Sequence, residues 1–143
     1  YKGYISLGVV EHQLEGPKKF LQEAHRILAH DGVMLISVPH FHALRKLKSK
    51  LGLYAKNTEN LSFYQYAFSI HEMESLLGKT GFVVIDTFPY DGYKGVKDEI
   101  VIIRRMLQWR GIGWRLQNWL KSWDWAERNL GHMILFVCRK KVS

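Results

Sequence analysis

A carboxylate and an imidazole directly follow a strand-like apolar run near the start of the chain. The run covers residues 4–10, and Glu11 and His12 come next. Imidazole changes its charge close to neutral pH and is the side chain most often used to accept a proton from a reacting group. His12 is therefore the candidate general base. In the alternative, structural interpretation, Glu11 and His12 cap the turn that follows.

A second polar group follows Pro39, where His40 and His42 are separated by one residue. Two imidazoles at this spacing resemble a ligand pair, but a zinc site needs at least one more ligand and the sequence offers none nearby. We therefore expect no metal site and interpret both histidines as polar loop residues that line a substrate cleft.

Three aromatic residues, Phe63, Tyr64 and Tyr66, form a further candidate site. Aromatic side chains supply apolar area, and a tyrosine adds a polar tip, which suits an acceptor pocket. They would serve equally well as core residues covering a sheet. The sequence leaves both interpretations open.

The elements that must position these residues begin with a strand, a helix and a strand. Residues 4–10 and 33–38 are β-branched and apolar, as in buried strands, with Ser37 the polar exception. Between them, Pro17 suits a helix start and Gly32 a left-handed helix end. This order predicts a parallel pair, whose carboxyl ends meet at the edge where ligands bind in such sheets. Gly8, without a Cβ, lets a ligand approach the backbone closely at that edge.

The remaining elements follow from periodicity and capping signals. Residues 44–51 form a basic helix and 56–62 a loop, while Ser69 and Glu72 form a capping box that opens a helix ending near Gly81. Residues 82–88 and 132–139 are two further strands. Between them lies an insertion, 91–131, with predicted helices over 96–109 and 114–130.

Several segments resemble the C-terminal half of class I S-adenosylmethionine-dependent methyltransferases. Residues 5–12, ISLGVVEH, resemble the family's GVLEH segment at the carboxyl end of its fourth strand. Residues 21–36, LQEAHRILAHDGVMLI, resemble its L-x-E-x-x-R-V-L-K-P-G-G block, and residues 38–40, VPH, the S-V-P-N ending. Residues 63–69 and 76–82 resemble its F-S-x-x-E-L and L-L-x-x-A-G-F segments. The pieces occur in the family's order and spacing.

The resemblance implies an α/β fold, the second half of a Rossmann-like seven-stranded sheet, with a final antiparallel strand and a helical insertion before it. It implies S-adenosylmethionine as cofactor and methyl transfer to a small-molecule or lipid-like acceptor. The implied roles are cofactor binding by Ser6, Leu7, Gly8 and Glu11, catalysis by His12, and substrate contact by Pro39, His40, Tyr64 and Tyr66.

The family's glycine-rich cofactor loop has no counterpart in this sequence. That loop, and the acidic residue that holds the cofactor's ribose, normally lie upstream of the matching segments, and the chain starts directly in a strand at Tyr1. We therefore expect a partial methyltransferase domain over residues 1–143 that is inactive alone. Metal-binding relatives carry Glu-x-x-Glu-His, whose first carboxylate is replaced here by Gly8, so the resemblance also argues against a metal.

The composition and the net charge limit the possible location and binding partners of the chain. The chain has 143 residues, a net charge of +8 and a single cysteine, Cys138, which we interpret as a core residue. It has no apolar run of membrane-spanning length and no disulfide, which together favour a cytoplasmic protein. Without a neighbouring strand, the first strand is an open edge that could pair with a second copy.

All five tryptophans lie between residues 109 and 125. Helical periodicity places Trp119 and Trp123 on one face, which would be buried, and Trp114 and Trp125 on the opposite face beside basic residues. That second face could contact a membrane surface or cover a hydrophobic acceptor, or it could pack against the rest of an enzyme. The alternative function is thus a non-catalytic, basic binding module for a membrane surface or nucleic acid, although no specific nucleic-acid motif is present.

Overall fold

A computed structural model describes residues 1–52, 65–99, 105 and 113–141 of the chain. These residues belong to two compact units, the first drawn from 1–40, 61–88 and 134–143 and the second from 41–60 and 89–133. The predicted insertion thus lies in the second unit together with residues 41–60. The predicted loop over 56–62 lies outside the described residues, as do Phe63 and Tyr64.

The first unit is built on a four-stranded sheet. Its strands are β1 (Gly3–Leu7), β2 (Val33–Pro39), β3 (Phe82–Tyr90) and β4 (Met133–Lys140), in the order β1-β2-β4-β3. β1 and β2 are parallel, in a register that sets Leu7 beside Ser37. The end of β4 bonds to the starts of β2 and β3, because Lys140 N donates to Gly32 O (3.3 Å) and Lys141 N to Gly81 O (2.8 Å). β4 is therefore antiparallel to both, as predicted.

Two helices, α1 (Lys18–Ile27) and α3 (Ile70–Lys79), share the core of the first unit with the sheet. α3 opens with the predicted capping box, in which Ser69 Oγ accepts from Glu72 N (3.3 Å) and the Glu72 carboxylate accepts from Ser69 N (2.8 Å). The alternate residues of β2 and β4 face these helices and form the core, because successive side chains of a strand point to opposite faces. The buried core residues of these four elements are Leu21, Ala24, Met34, Ile36, Val38, Met73, Leu77, Ile134, Phe136 and Cys138.

Several predicted boundaries differ from the structure. The helix predicted over 96–109 begins at Gly92, and residues 100–104 and 106–109 lie outside the described part of the chain. β1 ends at Leu7, and Val10–His12 form a short 3₁₀ helix instead of continuing the strand. α1 ends at Ile27 because Leu28 is extended, with φ −78° and ψ 135°, so Gly32 is not its left-handed cap. The expected helix over 114–130 is two helices, α5 (Gly113–Lys121) and α6 (Asp124–Leu130).

The second unit is helical and contains α2 (Ala43–Lys50), α4 (Gly92–Glu99), α5 and α6. α4 packs against α5 and α6, and α2 packs against α6. A partly buried ion network joins α2 to α4: the Glu99 carboxylate accepts from Arg45 Nε and from Lys48 Nζ, each at 2.8 Å. Arg45 also contacts His132 Nδ1 at 3.2 Å. Burial alone would raise the pKa of Glu99, but the hydrogen bonds from Lys48 and Arg45 hold it below its ordinary value.

Candidate functional site

The carboxyl end of β1 turns sharply at Gly8. Its φ of +64° lies in the left-handed region, which glycine adopts without the steric cost that a Cβ imposes. Gly8 N donates to Ser37 O at 3.2 Å, so the backbones of β1 and β2 stay together to their ends. The Leu7 side chain is exposed, which leaves only its backbone to contribute to this edge.

Glu11 folds back over Gly8. Its side chain is buried, with the residue only 2% exposed, and Oε1 lies 3.5 Å from the position that a Cβ on Gly8 would take. Oε2 is buried without a hydrogen-bond partner among the described residues. Burial raises the pKa of Glu11 above its ordinary value, although a hydrogen bond from its own backbone N–H and the nearby His12 both lower it. The edge therefore presents a buried acceptor that suits a cationic or N–H donor.

His12 is the accessible member of this pair. Its side chain is 42% exposed, and its Nε2 lies 4.0 Å from Glu11 Oε1. The 3₁₀ helix holds its backbone in place, since His12 N donates to Val9 O at 3.2 Å. An exposed imidazole beside a buried carboxylate is thus within reach of a molecule bound at this edge.

Residues 66–68 connect the ends of the two strands. Tyr66 N donates to Glu11 O and Phe68 N donates to Pro39 O, both at 2.9 Å, and the two aromatic rings lie 6.1 Å apart. Tyr66 Oη donates to Leu14 O at 2.9 Å, and His40 forms a bridge with Phe68. The structure thus links Glu11, Tyr66, Pro39 and His40 around one edge.

Tyr66 also lines a solvent-open groove of about 460 Å³ along α3. The groove is bounded by Tyr66, Ala67, Phe68, His71, Glu72, Ser75, Leu76 and Lys79. It is a mixed polar and apolar surface next to the strand ends, which makes it the candidate place for an acceptor molecule.

Two serine hydroxyls are buried near the strand ends, on opposite faces of the sheet. Ser6 lies in register with Ile36, and Ser37 with Leu7. Both Oγ atoms are buried without a hydrogen-bond partner in the described part of the chain. No role for Ser37 follows from the sequence alone, although its position as the polar exception in an apolar strand is a signal that points to it. Within residues 1–52, 65–99, 105 and 113–141, no three His, Cys, Asp or Glu side chains come together as a metal site.

Comparison with solved structures identifies the architecture. The chain is similar to a mycolic acid cyclopropane synthase solved with S-adenosylhomocysteine (TM-score 0.57, 21% identity, 97% of this chain and 55% of that chain). It is also similar to phosphoethanolamine N-methyltransferase 2 of Haemonchus contortus, solved with S-adenosyl-L-methionine (TM-score 0.52, 16% identity, 99% of this chain and 34% of that chain). A third similar structure is the 1,6-didemethyltoxoflavin-N1-methyltransferase of Burkholderia thailandensis (TM-score 0.51, 15% identity, 99% of this chain and 44% of that chain).

The chain has the fold of the second half of a class I S-adenosylmethionine-dependent methyltransferase. The predicted fold class is confirmed, and the chain spans about half the length of the first solved structures it matches. No protein-family model and no curated protein sequence matches it. Since identities of 15% to 21% establish a fold and not a reaction, the activity has to be argued from the site.

Proposed function

We propose that this chain is the second half of an S-adenosylmethionine-dependent methyltransferase and that it contributes one wall of the cofactor site. The observation that carries the proposal is the buried Glu11 carboxylate, whose Oε2 has no partner among the described residues, folded over a left-handed Gly8 at the end of β1. A buried acceptor left unsatisfied destabilises a fold by about 1–3 kcal/mol. A ligand that donates to it removes that cost.

The donors of S-adenosylmethionine fit these residues. It carries an ammonium group, hydroxyl groups and a cationic sulfonium, and when bound it supplies a methyl group activated for in-line displacement. Glu11 can accept from a positively charged donor, while the hydroxyls of Ser6 and Ser37 can donate as well as accept. Gly8 leaves room for close approach, and Leu7 contributes backbone.

His12 is the proposed general base. Its exposed imidazole would accept the proton that the acceptor releases when it is methylated, and the neighbouring Glu11 carboxylate would stabilise the resulting imidazolium. Pro39, His40 and Tyr66 would border the acceptor, with the groove along α3 as its place of binding. A substrate role for Tyr64 stays a prediction. We propose a small-molecule or lipid-like acceptor, since the groove is lined by both polar and apolar side chains.

The open edge of β1 is where we place the rest of the sheet. β1 pairs with β2 alone among the described strands, and the exposed side chains of Ile5, Leu7, Val83 and Ile85 make one sheet surface apolar. Unpaired apolar edges invite a further strand. We propose that a segment carrying the glycine-rich loop pairs here and that, without it, two copies of this chain associate through β1.

Sedimentation velocity should show a dimer, which Ile5→Lys weakens; a monomer at all concentrations would contradict the association.

Calorimetric titration of S-adenosylhomocysteine into the chain tests the proposed incompleteness. We expect no binding tighter than millimolar, because the residues at this edge form only one wall of the site. A micromolar Kd would mean that these residues hold the cofactor without a glycine-rich loop. Glu11→Ala, compared with the exposed control Glu15→Ala, would then show whether Glu11 is the residue responsible.

A further inference from the structure

Three tryptophan rings form a continuous stack at the junction of α5 and α6. The ring centroids of Trp119 and Trp123 lie 5.1 Å apart at 28°, and those of Trp123 and Trp125 lie 5.3 Å apart at 29°. The stack spans the break between the two helices, where α5 ends at Lys121 and α6 begins at Asp124. Ser122 N makes the last helical hydrogen bond of α5, to Asn118 O, and Ser122 Oγ donates to Trp119 O. Trp119 and Trp125 nevertheless remain 56% and 54% exposed. We define these three residues as the tryptophan stack.

Cations flank the tryptophan stack on both helices. Arg115 precedes Trp119 by one helical turn on α5, and Arg128 follows Trp125 by nearly one turn on α6; both arginines are exposed, as is Asp124. Residues three or four apart in a helix are neighbours on its surface. Exposed aromatic rings therefore lie beside exposed guanidinium groups.

The charge of the whole chain is concentrated in the same unit. Its ranges, 41–60 and 89–133, contain thirteen of the 21 basic residues and six of the 13 acidic residues, and they contain all five tryptophans. Seven of the eight net positive charges therefore belong to this unit. One of its carboxylates, Glu99, is already held by Arg45 and Lys48. No helix in the described ranges has the length and hydropathy to cross a bilayer.

We propose that the tryptophan stack and its flanking arginines bind the surface of an anionic lipid bilayer. Tryptophan favours the boundary between headgroups and acyl chains, where its ring contacts hydrocarbon and its N–H contacts polar groups. Basic residues beside it gain from the negative surface potential of anionic lipid. Single-stranded nucleic acid fits less well, because rings that stack on one another leave fewer ring faces open to bases. The proposal does not depend on the methyltransferase function.

Flotation of the chain with phosphatidylcholine vesicles, made with and without phosphatidylserine, tests the proposal. We expect binding only with phosphatidylserine, weakening as salt is raised, together with a blue shift of tryptophan emission. Trp119→Ala combined with Trp125→Ala should abolish flotation. Arg115→Gln combined with Arg128→Gln should weaken it by about 30-fold, since two surface charges are lost.

The matched control removes two exposed lysines of the first unit, Lys2→Gln and Lys18→Gln, and should bind within about twofold of the wild type. The arginine variant alters no packed ring, so it keeps the test decisive if the tryptophan variant misfolds. The proposal is overturned if the chain ignores phosphatidylserine vesicles, if the control loses as much affinity as the arginine variant, or if the chain binds a random oligonucleotide but no vesicle.

Discussion

Replacing Glu11 with Gln should stabilise the protein at neutral pH. The wild-type carboxylate is buried, with one oxygen unpartnered among the described residues, and burial raises its pKa above the ordinary 4.5. Gln removes the buried charge, which costs more to bury than a neutral amide of the same shape, and the 4.0 Å contact with the exposed His12 imidazole returns less than about 1 kcal/mol to the wild type. Glu11→Gln should therefore add about 1 kcal/mol, or about 4 °C in Tm for a chain of this size.

The stabilisation by Glu11→Gln should disappear as the pH is lowered. Since the pKa of Glu11 is raised on folding, the folded protein takes up a proton at a higher pH than the unfolded chain does. The destabilisation by the buried carboxylate is therefore complete when the pH is above the pKa of Glu11 in the folded protein. It is gone once the pH is below 4.5, the ordinary pKa of the group, which applies in the unfolded chain. Urea unfolding of wild type and Glu11→Gln from neutral to acid pH measures this difference.

The control for this series is Glu15→Gln, a largely exposed carboxylate that pairs with Lys19 on the surface. It should change the free energy of unfolding by less than about 0.5 kcal/mol at every pH. If Glu11→Gln is no more stable than wild type at neutral pH, or if its advantage persists unchanged into acid, the assignment of Glu11 as a costly buried acceptor is wrong.

Three further predictions concern the two units separately. Gly95→Ala in α4 should lower the free energy of unfolding of the second unit by several kcal/mol, because its Cβ would lie 1.8 Å from a carbonyl oxygen of α6. Gly78→Ala in α3, which has open space around it, should instead stabilise the protein by about 0.5–1 kcal/mol. Thermal melts of the two variants measure the difference. Cys138 is buried and its pKa is raised to about 12, so an Ellman titration at pH 8 should detect no thiol until denaturant is added. Glu99→Gln should cost about 2 kcal/mol at neutral pH, in contrast to a small effect of Asp98→Asn. Because the folded pKa of Glu99 is depressed, that loss should shrink as the pH falls below 4.5, which urea unfolding would show.

The sequence predicted the two central strands, β2 and β4, well because they carry most of the buried residues of the sheet. The expectation of a buried first strand was wrong, since Ile5 and Leu7 in β1 are exposed. Apolar runs such as Met34 to Val38 and Ile134 to Cys138 have few other uses in a chain of this length, and the capping box at Ser69 is a local signal that needs no tertiary context. The helix end near Gly32 was wrong for a local reason. Leu28 becomes extended and buries its side chain in the core, so packing ended the helix earlier than the nearest glycine suggested.

The candidate site was only partly predictable. The positions of Gly8, Glu11 and His12 follow from where a parallel strand ends, but the burial of one carboxylate beside an exposed imidazole depends on how the 3₁₀ helix turns. The link from Tyr66 to Glu11 joins residues far apart in sequence through backbone atoms, which carry no sequence signal. Likewise, Ser37 gains interest only from its register with Leu7.

The faces predicted for the tryptophans were partly wrong because the prediction assumed one continuous helix over residues 114–130. A continuous helix over 114–130 would separate Trp123 from Trp125 and bury Trp119. The break at Ser122 instead stacks Trp125 on Trp123 and leaves Trp119 exposed, so the predicted buried face is wrong. Trp114 and Trp125, which the periodicity placed on the opposite face, are 70% and 54% exposed.

The proposed cofactor edge is tested most directly by a ¹⁵N–¹H NMR titration of the chain with millimolar S-adenosylhomocysteine. We expect weak, fast-exchange shifts concentrated at the amides of residues 6–12, 37–40 and 66–68, and smaller shifts in Glu11→Gln. ATP, added as an adenine-containing anion, should instead perturb the basic second unit. Shifts that spread alike over both units for the two compounds, or that spare the strand ends altogether, would contradict the assignment of this edge to the cofactor.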